Sequence, residues 1–104
     1  MTEWGPQHAL DYARKMLDEA KPHLFQLEEP DIYRSMVNAL SECQSALSNG
    51  GAPPWGLLRD VWAPLFVRLR VAENRTPSQS DLLDIVENIR MGFEEAGIKL
   101  TQRE

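Results

Sequence analysis

The sequence predicts an all-α fold: one compact domain of four helices, or four to five counting short turns. Three observations lead there. Apolar residues recur at helical spacing along nearly the whole chain. Prolines, glycines and small polar residues sit at the ends of those runs, where helix-end chemistry places them. Only LFVRLRV, residues 65–71, alternates like a strand, and it has no second such run to pair its backbone groups with.

The first helix is expected from about Pro6 to Ala20, with Ala9, Ala13, Met16, Leu17 and Ala20 on one face. Its alanines permit close approach by a neighbour. Pro22 lacks an amide hydrogen and disfavours helix at Lys21, so the helix is expected to stop or kink there. A short HLFQL turn follows, tucking Leu24, Phe25 and Leu27 under the bundle. The second helix, about Pro30 to Ser48, starts with a proline and with Asp31 in its first turn, which suits the positive end of the helix dipole. Its stripe is Ile32, Met36, Ala39, Leu40, Cys43, Ala46 and Leu47. Asn49, Gly50 and Gly51 tolerate positive φ and end it, and residues 49–54 form the inter-helix loop.

The third helix, residues 54 to 72, is expected to be kinked at Pro64 and is apolar on two sides. At about 100° per residue, Leu58, Val61, Trp62, Leu65, Leu69 and Ala72 fill a core-facing arc. Leu57, Val67 and Val71 lie opposite, flanked by Asp60 and Arg68. A strand at 65–71, paired across a dimer, is the alternative. The fourth helix has the strongest end signals: Thr76-Pro77-Ser78-Gln79 fits a capping box, Leu82, Ile85, Val86, Ile89, Phe93 and Ala96 form one face, and Gly97 ends it in a Schellman arrangement with Ile98 against Phe93. Residues 99–104 are expected to fray.

A chain of 104 residues, 42% hydrophobic and 26% charged, is ordinary for one soluble globular domain. No apolar run approaches the ~18 residues of a spanning helix, and no signal peptide pattern opens the chain, so a cytoplasmic location is expected. The net charge of −5 is uneven: residues 51–75 hold four arginines against two acids, while the stretches on either side are acidic. Nucleic acid is therefore a poor default partner unless Arg59, Arg68, Arg70 and Arg75 converge.

No catalytic, cofactor or metal residue is assigned. His8 and His23 lack ligand spacing, and Gly50-Gly51-Ala52-Pro53 has no following Lys-Ser/Thr for a phosphate cradle. The acids fall on polar helix faces rather than as an opposed pair. Cys43, at the centre of the second stripe, reads as a buried, inert thiol. Of three tryptophans, Trp62 belongs to the core, whereas Trp4 and Trp55 are open to either partner contact or satellite packing.

A helix apolar on both sides must be covered on both sides. The candidate partner-binding residues are Trp55, Leu57, Val67, Arg68 and Val71, and the expected mode of action is contact with another protein and a homodimer. In length, acidity and helical pattern the chain resembles the small all-helical bacterial anti-activators that sequester quorum-sensing transcription factors, with residues 55–71 as the region carrying the resemblance. It implies an apolar face that competes for a receptor's dimerisation surface, with no cofactor and no turnover. A nucleic-acid-binding regulator using the arginines and a structural or phage-type assembly subunit are the alternatives.

Overall fold

The computed structural model describes residues 4–100. Four helices occupy them: α1 (Pro6–Gln26), α2 (Pro30–Ser48), α3 (Trp55–Val71) and α4 (Pro77–Glu95). Each packs on its neighbours in sequence and α1 closes against α4, while the backbones of the diagonal pairs α1/α3 and α2/α4 stay apart. Connections this short leave successive helices antiparallel, so the helices form a four-cornered bundle around one core.

The α1/α4 seam is the most extensive, and small residues explain it. Ala9, Ala13 and Ala20 are buried on α1. On α4, Gly92 lies so close to α1 that a Cβ there would sit 2.8 Å from Tyr12 Cδ2. A mid-helix glycine costs about 1 kcal/mol of intrinsic helix stability, offset here by close packing. At the α3/α4 seam, Trp62 is wholly buried, stacks on Phe66 at 4.6 Å between centroids, and donates its indole N–H to the Val86 carbonyl at 3.0 Å. Among the described residues, no charged or polar side chain is buried outright.

Helix ends follow the local chemistry. Thr76 Oγ1 accepts from the Gln79 amide at 3.2 Å and Gln79 Oε1 accepts from the Thr76 amide at 2.9 Å, completing the capping box. At the other end Gly97 has φ 81°, and the Ile98 amide donates to the Phe93 carbonyl at 2.8 Å, with Ile98 buried. Gly50, φ 77°, ends α2 in the same way. Glu28 does so for α1 at φ 60° without being glycine, its neighbour's amide bonding to the Leu24 carbonyl at 2.8 Å.

Several expectations are corrected. Pro22 does not end α1, which continues through HLFQ to Gln26. The proline ring is exposed and the missing bond frees a carbonyl at exposed Asp18, while the extra turn buries Leu24. Phe25 is not tucked under the bundle; it stays 46% exposed, edge-on to Tyr33, with the Lys21 ammonium over both rings. As expected, α3 continues as one helix through Pro64, and the strand alternative for residues 65–71 falls. In its core arc Phe66 is buried, whereas Val61 and Ala72 are only half-buried. The tail is anchored as far as it is described: Leu100 is fully buried and Arg59 donates to the Lys99 carbonyl at 2.9 Å, while residues 101–104 lie outside the described part.

Candidate interaction surface

The far side of α3 is the largest concentration of exposed apolar side chains. Of six large hydrophobic residues left exposed among those described, three belong to it: Leu57 at 48%, Val67 at 50% and Val71 at 71%. The helix repeat causes this. Leu58, Trp62, Leu65, Phe66 and Leu69 take the core-facing arc, and a residue roughly half a turn away from that arc meets water unless another element covers it. α3 is also a corner helix of the bundle, with α2 and α4 on its flanks and no other described helix on its outer side.

Open grooves border this ridge on both sides. Towards α2, a groove of about 380 Å³ is lined by Ile32, Ser35, Asp60, Val61, Pro64 and Leu65 among others. Towards α4, one of about 450 Å³ is lined by Ala63, Phe66, Val67, Arg70, Glu87 and Arg90, with Trp62 at its floor. A ridge between two grooves is the relief into which a partner helix packs.

Four of the five candidate contact residues come together here. Leu57, Val67, Val71 and Arg68 are exposed, Arg68 leaning towards Glu29 at 3.4 Å. Trp55 does not join them. It is half-buried and packs edge-on against Phe93 of α4, 5.7 Å between centroids, so it belongs to satellite packing. The sequence could not separate these outcomes, because Phe93 is remote along the chain.

The four central arginines do not converge. Arg59 holds the Lys99 carbonyl, and Arg75 turns back on the end of α3, donating to the carbonyls of Leu69 and Arg70 at 2.7 and 3.0 Å. Arg70 lies over the Phe66 ring at 5.4 Å. Arg68, two residues from Arg70 and so about 200° around the helix from it, faces the α1/α2 loop instead.

Trp4 makes a second, smaller patch that periodicity could not reveal, since it precedes the first helix. Its indole donates to the Gly92 carbonyl at 2.6 Å, and its ring stacks on His8 and meets Tyr12 edge-on. With exposed Met91 it borders a groove of about 280 Å³ between α1 and α4. Among the described residues no group of three or more His, Cys, Asp or Glu side chains gathers in a metal-binding arrangement, and no helix is long and apolar enough to cross a membrane.

Cys43 is wholly buried, its Sγ 3.6 Å from the Pro54 carbonyl. Burial pushes the thiol up from its ordinary range, and the Glu42 carboxylate acts in the same direction. A thiol held protonated is a poor nucleophile. Because the folded state keeps this proton to higher pH than the unfolded chain, its contribution to stability is complete below the unfolded thiol's ordinary pKa and is lost as pH rises through the raised one. Cys43→Ser is expected to cost about 1–3 kcal/mol, less if the hydroxyl donates to the Pro54 carbonyl or to the carbonyl one turn back, and to leave partner binding unchanged. Urea unfolding reads this directly, and an unmoved midpoint would contradict the packing described here.

Compared with protein-family models, with curated proteins and with solved structures, the chain matches none of them.

Proposed function

We propose that this helical domain acts by contact, as a regulator that binds and inhibits another protein through the outer face of α3. The observation that carries this reading is the exposure of Leu57, Val67 and Val71 on one side of a helix whose opposite side is fully used by the core. A solvent-facing apolar row is a standing cost that a partner surface removes. Following the sequence resemblance, a quorum-sensing transcription factor is the partner class to test first, in a bacterial cytoplasm. The dispersal of the arginines, each drawn to a different local partner, favours this over nucleic-acid binding.

The experiment compares wild-type protein and Val67→Asp as baits in the source cell. A partner captured by the first and lost with the second, and whose activity falls on titration with the purified wild-type domain alone, is the expected result. The capture should survive about 0.5 M salt, since apolar contact is much less salt-sensitive than binding to a phosphate backbone. Identical capture by both baits would remove α3 as the binding surface.

A further inference from the structure

Residues three, four and seven positions to either side of Pro64 fall within about 60° of it around the helix, and all of them are exposed except Val61, which is half-buried against the core. Their chemistry mirrors across the proline. Val61 and Val67 stand at three, Asp60 and Arg68 at four, Leu57 and Val71 at seven. The two members of each apolar pair match in kind, and the charged pair is opposite in sign. Asp60 is exposed and has no hydrogen-bond or ion-pair partner among the described residues, and Arg68, 58% exposed, has only the 3.4 Å contact with Glu29. Eight residues of rise separate Asp60 from Arg68 by about 12 Å, too far to pair within one helix.

We infer that α3 packs against α3 of a second copy of this chain, antiparallel, about a two-fold axis level with Pro64. In that register Asp60 of each copy meets Arg68 of the other, Leu57 lies level with Val71, and Val61 with Val67. An isologous interface must be self-complementary, which this row is. A parallel two-fold pairing sets Asp60 beside Asp60 and Arg68 beside Arg68, so charge selects the antiparallel arrangement. The inference rests on the reading of α3 as an interface and adds its resting occupant: the second copy covers the face, and a target protein displaces it. The row is about 21 Å long, about four helical turns, and the two-fold presents it once from each copy.

Sedimentation equilibrium from about 1 to 200 µM, at low salt, tests this with charge-reversed variants whose folding is confirmed by circular dichroism. Asp60→Arg and Arg68→Asp each set like charges together twice and are expected to weaken self-association at least about tenfold. An equimolar mixture of the two restores opposite charges at both contacts and sediments as a dimer, as does the double variant alone. A monomeric wild type, single variants that dimerise as wild type does, or a mixture that stays monomeric each overturns the inference. Those outcomes leave the contact reading standing if the wild-type bait still captures a partner that Val67→Asp loses.

Discussion

A carboxylate placed at Leu65 or Leu69 is expected to unfold the domain, while the same change at Val67 or Val71 leaves it folded and weakens only its associations. Leu65 and Leu69 are each 4% exposed and sit in the shared core, against 50% and 71% for the two valines. An unpaired carboxylate forced into an apolar core costs several kcal/mol after relaxation. The whole stability of a domain this size is about 5–15 kcal/mol. Among the described residues no basic side chain is buried to compensate. At the valines the carboxylate stays in water, and the loss is confined to one apolar contact at a separable surface. Circular dichroism melts of the four variants, with size-exclusion profiles, separate the faces. If all four unfold alike, the outer side of α3 belongs to the intramolecular core and the contact reading falls with it.

Trp62→Ala is expected to destabilise the fold by about 3–5 kcal/mol, the range for deleting a large buried aromatic. Three contributions are lost together: the buried area of a fully enclosed indole, its stacking on Phe66, and the 3.0 Å bond to the Val86 carbonyl that ties α3 to α4. Trp62→Phe keeps much of the area and the stacking. The Val86 carbonyl lies inside α4 and retains its own helical partner, so this milder variant should lose roughly 1–2 kcal/mol. Trp4→Ala, removing a side chain 40% exposed, should cost less than Trp62→Ala. Urea unfolding of the three variants gives the order, and a loss below about 1 kcal/mol for Trp62→Ala would mean that the α3/α4 corner closes without it.

Part of this architecture depends only on a few neighbouring residues. The number of helices, the capping box at Thr76, the Gly97 ending of α4 and the buried stripe around Cys43 are all local, because helix periodicity and end capping reach only one or two turns. For the same reason Leu57, Val67, Arg68 and Val71 were legible as a second face: their shared side follows from helix geometry once α3 is helical. The tertiary structure decided the rest. Pro22 fails to stop α1 because burying Leu24 rewards one more turn, and Phe66 joins the core arc of α3 while Val61 and Ala72 reach only its margin. Trp55 turns inward because Phe93 is there to receive it, and Leu100 is held because Arg59 reaches the neighbouring carbonyl. Each of those outcomes is a contact between residues far apart in sequence, and its free energy exists only once the four helices have come together.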